Sequence, residues 1–89
     1  MTYLEREAAR ARAEASLITI GSRVAFRASF LRSIGDYSHA AASRRGTVVG
    51  LQGLGINTLV LVGWDEAEYP SGALACNLIL ADRIALEPA

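Results

Sequence analysis

The sequence predicts a small, mainly β domain in which five short strands close into a barrel behind an α-helical extension. From Ile20 onward, short apolar runs of strand type alternate with turns rich in Gly, Ser, Asn and Pro. Residues 2–16 are instead rich in Ala, Glu and Arg and show no strand alternation. The chain has 89 residues, 52% of them hydrophobic and 20% charged, which suits one folded core. We therefore divide it into an extension, residues 1–19, and a barrel, residues 20–89.

The extension begins with a capping-box pattern, Thr2-Tyr3-Leu4-Glu5, in which a hydroxyl and a carboxylate each accept a backbone amide hydrogen bond. This pattern predicts a helix. The helix has one stripe of helically spaced apolar residues: Leu4, Ala8, Ala11 and Ala15. Because the stripe buries little surface, we expect a helix that is loosely attached or docked on another subunit of a homo-oligomer. The alternative is a solvated, partly frayed extension.

The first predicted strand, residues 23–28, alternates so that Val24, Phe26 and Ala28 face the core and Arg23 and Arg27 face solvent. The segment from Phe30 to Arg44 has no sustained period and contains several polar residues and a glycine. We expect it to form a long loop.

The remaining strands are predicted at residues 46–51, 58–64, 73–76 and 83–86. The first two of these pair as a hairpin through the glycine-rich link 52–57. Residues 65–72 are a polar turn or loop with Pro70, which offers no amide donor, and residues 77–80 are a connecting turn. Closure of the five strands into a barrel leaves little exposed edge.

Several motifs resemble those of SH3-like barrels of the KOW and Tudor type. They are Gly21-Ser22-Arg23-Val24-Ala25-Phe26, Arg45-Gly46-Thr47-Val48-Val49, Val62-Gly63-Trp64-Asp65-Glu66, and Asn77-Leu78 ahead of Asp82-Arg83-Ile84. The pattern covers residues 20–87 and is also similar to short uncharacterised proteins of bacteria, phages and plasmids. The resemblance implies that the segment from Phe30 to Arg44 is the first variable loop of the barrel, where partner contacts concentrate. Such barrels bind nucleic acids or peptides, or serve as subunits of larger assemblies.

The aromatic residues of the barrel limit the ligands that we expect. They are Phe26, Phe30, Tyr37, Trp64 and Tyr69. Phe26 is assigned to the core, and the remaining rings are few for a methyl-lysine cage or a proline-rich groove.

The charge balance favours a protein partner over nucleic acid or a membrane surface. Nine basic residues match nine acidic ones, so the net charge is zero. Residues 1–45 carry a net +4 and residues 46–89 a net −4, which suits protein docking or self-association. No apolar stretch is long enough to span a membrane, and we expect no secretory signal. The single Cys76 indicates a reducing compartment. We expect a cytoplasmic protein.

Arginines dominate the best candidate patch: Arg32, Arg44 and Arg45 in the loop, joined by Arg23 and Arg27 on the first strand. With Tyr37 they make an electropositive loop that suits phosphate contacts and stacking, or an acidic protein surface. The alternative is that these arginines keep the surface soluble and pair with the acidic half. His39, the one histidine, is a partner contact or a solvated residue.

Trp64 ends the most apolar strand and is either a barrel plug or rim residue or an interface anchor. The acidic group formed by Asp65, Glu66 and Glu68 contacts a cation or an Arg-rich partner, or is a solvated loop. The predicted partner-binding residues are Arg32, Tyr37, His39, Arg44, Arg45, Trp64 and Tyr69.

No catalytic, metal or cofactor site is predicted. Residues 50–55 read G-x-x-G-x-G, a turn pattern rather than a nucleotide loop, and Asp36, Ser38 and His39 are too close along the chain for a triad. One His and one Cys cannot complete a zinc site in a monomer. We therefore expect a small non-enzymatic interaction module of bacterial or phage origin, a protein–protein adapter or regulator. The alternatives are a nucleic-acid-binding accessory protein of a phage or plasmid and a mobile-element inhibitor of a host complex.

Overall fold

A computed structural model describes residues 2, 5–6, 9, 13, 15–55 and 57–86. Its centre is an antiparallel sheet of five strands: β1 (Arg23–Phe26), β2 (Gly46–Leu54), β3 (Asn57–Trp64), β4 (Ser71–Leu74) and β5 (Leu78–Leu80). The strand order is β4-β3-β2-β1-β5, so the last strand returns to pair with the first. The mainly β prediction is confirmed, but the sheet is open where the sequence predicts a closed barrel.

The hairpin of β2 and β3 is the longest pairing in the sheet, and it confirms that these two strands pair. β2 extends to Leu54 and β3 begins at Asn57, so most of the link predicted at residues 52–57 is strand. The pairing runs from Gly46↔Trp64 to Leu54↔Asn57, with a bulge between Val48 and Gly50. The turn at its tip begins at Gly55, whose φ of +64° suits glycine because no Cβ is present to clash.

The segment between β1 and β2, predicted as a long loop, contains two short helices, α1 (Ala28–Ser33) and α2 (His39–Ser43). Gly35, with φ of +72°, lies between them, and the Ser38 side chain caps α2. Helices of one to two turns are too short to give a visible hydrophobic period, which is why the sequence pattern suggests a loop.

The outward placement predicted for Arg27 is wrong, because its side chain is only 2% exposed. β1 ends at Phe26, and Arg27 is the extended residue that begins α1. Ala25, on the face of β1 predicted to be exposed, is also buried at 1%, so both faces of the strand are covered here and alternation does not predict exposure.

The C-terminal assignments also differ from the sequence prediction. The expected connecting turn contains β5, while the expected fifth strand, residues 83–86, lies in a 3₁₀ helix, Ala81–Leu86. Another 3₁₀ helix, Ala75–Asn77, follows β4, which begins and ends two residues earlier than predicted. Leu78 pairs with Phe26 and is fully buried, so long-range pairing with β1 decides which apolar run becomes the strand.

One core holds the sheet together. Its buried members are Ile18, Val24, Val48, Val60, Val62, Trp64, Ala75 and Leu78. Ile18 comes from the end of the N-terminal extension, and Ala15 packs against the same cluster. The extension is thus attached to the sheet at this point.

Most of the predicted N-terminal helix, and with it the docking on another subunit, lies outside the described residues. The capping-box hydrogen bonds at its start are present. The Thr2 amide donates to Glu5 Oε2, and the Glu5 amide donates to Thr2 Oγ1, each at 3.2 Å.

Candidate functional site

Two connections meet at one end of the sheet. The first connection, residues 27–45, joins β1 to β2, and the second connection, residues 65–70, joins β3 to β4. A backbone hydrogen bond links them, since the Asp65 amide donates to the Arg45 carbonyl oxygen at 2.9 Å. The two connections therefore form one surface.

Stacked aromatic rings lie beneath this surface. The Phe26 and Trp64 rings are 4.7 Å apart at an interplanar angle of 28°, and the Phe26 and Phe30 rings are 5.3 Å apart at 30°. Phe26 is the middle ring of this row. Trp64 ends β3 and is only 6% exposed, because it packs in the hydrophobic core. The row gives the end of the sheet a rigid apolar base.

A concavity of about 410 Å³ opens above these rings, and we call it the aromatic concavity. Phe26 and Trp64 line it from the sheet, and Tyr69 lines it from the second connection. Tyr69 is 72% exposed, so most of its surface is available for contact. Arg44 and Glu66 supply one charge of each sign at its walls.

A second hollow of about 270 Å³ lies beside the aromatic concavity and shares Arg44 and Glu66 with it. Its other lining residues include Arg45 and Asp65. Together the two hollows form a continuous surface with aromatic character at one end and mixed charge at the other.

Local hydrogen bonds around α2 position Arg44. Asp36 Oδ1 accepts from the Ser38 amide at 3.1 Å and from the Ser38 hydroxyl at 2.8 Å. Ser38 Oγ in turn accepts from the Ala41 amide at 3.1 Å, which caps α2. Arg44 ends the helix, with its amide donating to the Ala41 carbonyl oxygen. The Ser38 hydrogen bonds lower the pKa of Asp36, and the nearby charge of Arg44 contributes to this shift.

The arginines of the predicted patch are in different environments. Arg23 pairs with Asp65 through hydrogen bonds of 2.6 and 2.7 Å and also donates to Thr47 Oγ1. Arg45 Nη1 donates to the carbonyl oxygens of Ala42 and Arg44 at 3.0 and 2.8 Å. Because Arg27 is buried, the predicted arginines do not all share one exposed face.

Three of the predicted partner-binding residues, Arg44, Trp64 and Tyr69, line the aromatic concavity, and Arg45 lies in the adjoining hollow. Arg32 and His39 are exposed on the first connection, as is Tyr37 at 80%, but none of them lines either hollow.

The set predicted from sequence does not include Phe26 and Glu66, which both line the aromatic concavity. The alternation of β1 correctly indicates that Phe26 packs inward, but it cannot show that the ring also lines a surface hollow. The acidic group after β3 was the available signal for Glu66.

Among the described residues, no group of three or more His, Cys, Asp or Glu side chains is placed to hold a metal ion. In the same part of the chain, no helix has both the length and the apolar character needed to cross a membrane. Comparisons of the chain with protein-family models, with curated proteins and with solved structures give no match.

Proposed function

We propose that this protein is a small non-enzymatic interaction module that binds a segment of a protein partner in the aromatic concavity. The observation that carries the proposal is the meeting of the exposed Tyr69 ring, Arg44 and Glu66 above the Phe26–Trp64 stack. An aromatic base with a polar, charged rim is the arrangement that concentrates binding energy in protein interfaces.

The charges around the concavity support a peptide rather than a polyanion. Arg44 is accompanied by Glu66 in the lining, and Glu68 is exposed on the same connection. Carboxylates at this position repel phosphates, whereas a peptide with charges of both signs can pair with Arg44 and Glu66 together. Arg23 and Arg45 already make intramolecular hydrogen bonds, which reduces the cationic surface left for phosphate.

We further propose that the fold is an open variant of the SH3-like barrel. Strands β1 to β4 pair consecutively and β5 returns to β1, which supports this assignment. The first connection is the longest one between described strands and corresponds to the variable loop that the sequence resemblance implies. The single cysteine, Cys76, supports a cytoplasmic location for such a module.

A second candidate function is binding of single-stranded nucleic acid. Tyr37 and Tyr69 are 80% and 72% exposed and could stack with bases, and Arg44 could contact phosphate. This alternative requires an affinity that falls steeply as salt is raised, because released counterions drive phosphate binding.

One pair of binding measurements separates the two functions. A library of short random peptides displayed on phage is selected against the immobilised protein, and a labelled single-stranded oligonucleotide is titrated in parallel. We expect enrichment of peptides that share an aromatic or aliphatic anchor beside charged residues, and weak oligonucleotide binding. Oligonucleotide affinity that is high at about 50 mM salt and collapses at about 200 mM, without peptide enrichment, would favour the nucleic-acid function instead.

A further inference from the structure

A second surface lies on the sheet face turned away from the core. We call it the outer face and define it by Val49, Gly50, Leu59, Leu61, Gly63 and Gly72, which belong to β2, β3 and β4. Its polar but uncharged members are Thr47 and Gln52, opposite Gly63 and Leu59. Its direction follows from the register, because Val60 and Val62 are fully buried and the residues between and beside them therefore point outward. None of these six residues lines the aromatic concavity.

The outer face is apolar where a solvated sheet face is normally polar. Val49 is 50% exposed and Leu61 is 41% exposed, and both lie on strands without a single Asp, Glu, Lys or Arg. The neighbouring edge strand β4 also has no charged residue. Antiparallel sheets with one face in water usually place polar or charged residues on that face, and edge strands usually carry charges against unwanted pairing.

Glycines make the outer face flat. A Cβ at Gly50 would lie 3.0 Å from Leu61 Cδ1, and a Cβ at Gly72 would lie 3.1 Å from Leu59 Cδ1. The side chains of Leu61 and Leu59 therefore pack over Gly50 and Gly72 instead of extending into solvent. The result is an apolar surface with little relief around Gly50 and Gly72, of the kind that packs against another sheet face.

We propose that the outer face is the interface of a two-fold homodimer, in which the β2–β4 faces of two copies pack against each other. The charge distribution argues for a second copy as the occupant. Because the outer face has no charged residue, a charged partner surface would lose its hydration there without gaining a counter-charge. A second copy of the same face has no charge to desolvate. The net charge of the chain is zero, so two copies do not repel each other.

The charged residues of the sheet lie at the border of this interface. Arg23 and Asp65, which pair with each other, are next to Thr47 at one end of the outer face. This placement gives an apolar centre with a polar rim, the usual anatomy of a dimer interface. The aromatic concavity stays accessible in such a dimer, so each copy retains its own binding site.

Sedimentation velocity at micromolar concentrations tests the proposal. We expect the wild-type protein to be a dimer and Leu61→Glu and Val49→Glu to be monomers. The dimer dissociation constant of each should rise at least ~100-fold, because two-fold symmetry buries two like charges together. Ile34→Glu is the matched control, since Ile34 is 58% exposed on the first connection and receives the same charge. It should remain a dimer.

A measurement on the wild-type protein covers the case in which the glutamate variants fail to fold. In a mixture of isotope-labelled and unlabelled protein, we expect intermolecular nuclear Overhauser effects from the Leu61 methyl groups. Three results would overturn the proposal: a wild-type monomer at all concentrations, a dimer that survives both folded glutamate variants, or a dimer without intermolecular contacts at Leu61. The second of these would direct attention to the N-terminal extension as the dimer contact.

Discussion

Arg23 and Asp65 form a bidentate ion pair that crosses a strand. Arg23 Nη1 and Nη2 donate to the two carboxylate oxygens of Asp65 at 2.7 and 2.6 Å, and Arg23 Nη1 also donates to Thr47 Oγ1 at 2.9 Å. Arg23 begins β1, Thr47 lies in β2, and Asp65 follows β3. One guanidinium therefore connects three elements beside the place where the two connections meet.

Removal of the Asp65 charge should lower the stability of the protein at neutral pH. The hydrogen bonds and charge of Arg23 hold the pKa of Asp65 below its ordinary value. A depressed carboxyl pKa stabilises the folded state above the unfolded pKa of about 3.9, and this stabilisation disappears as pH falls through the folded pKa.

We therefore expect Asp65→Asn to reduce the melting temperature at pH 7, and this difference from wild type to shrink progressively as pH falls below about 4. Thermal unfolding followed by circular dichroism measures both effects. Glu68→Gln removes one negative charge from the same connection and should leave the melting temperature unchanged. Equal behaviour of the two variants would show that the ion pair does not stabilise the fold.

Gly46 should tolerate no side chain. A Cβ there would lie 2.5 Å from Val62 Cγ1 and 2.9 Å from Trp64 Cε3, and both of these residues are buried. We expect Gly46→Ala to lower the free energy of unfolding by about 1–3 kcal/mol through overpacking, as measured by urea denaturation. In Gly53→Ala, the matched change at the far end of β2, the Cβ meets nothing within 4 Å, and we expect little effect.

A substitution at Leu78 tests whether residues 77–80 contain a buried strand or form the connecting turn that the sequence predicts. The Leu78 side chain is fully buried in β5, opposite Phe26. Leu78→Ala should lower the free energy of unfolding by about 2–5 kcal/mol, the range for removal of a buried leucine. Leu54→Ala, at a position that is 45% exposed, serves as the control and should cost far less. Equal losses for the two variants would argue against β5.

The cap formed by Ser38 should determine both the stability of α2 and the acidity of Asp36. Ser38→Ala removes the acceptor for the Ala41 amide and the hydroxyl donor to Asp36, so we expect a loss of about 1 kcal/mol in unfolding free energy. The pKa of Asp36, followed by NMR titration, should rise toward its ordinary value. Ser43→Ala, at the end of the same helix, should leave that pKa unchanged.

The aromatic concavity should carry the binding energy of the selected peptides. Tyr69→Ala and Arg44→Ala should each weaken peptide affinity roughly tenfold or more, because truncation of a central aromatic or arginine anchor has this effect. Arg32→Ala is the matched control, since Arg32 is exposed on the first connection but does not line the concavity. Isothermal titration calorimetry gives the affinities. A loss confined to Arg32→Ala would place the site elsewhere on the first connection.

Local patterns predict part of this molecule well. The apolar runs on either side of a glycine-rich link predict the β2–β3 hairpin, and Thr2 and Glu5 make the hydrogen bonds of the capping box. These features depend on residues that are close along the chain, so short sequence windows contain the necessary information. The same is true of Arg44 and Tyr69, whose place in exposed connections follows from the polar residues around them.

Other features depend on contacts between distant residues. The run Leu78–Leu80 becomes a strand because β1 pairs with it. Arg27 is buried because both faces of β1 are covered near its end, as the burial of Val24 and Ala25 shows. The aromatic concavity brings together residues from both connections and from the ends of two strands. Sequence by itself determined the mainly β class, the central hairpin and the absence of charge from β2, β3 and β4. Only the tertiary structure decided which segment forms the fifth strand, which arginines are buried, paired or exposed, and where the two candidate binding surfaces lie. The reason is that long-range pairing and burial select among segments that are locally alike.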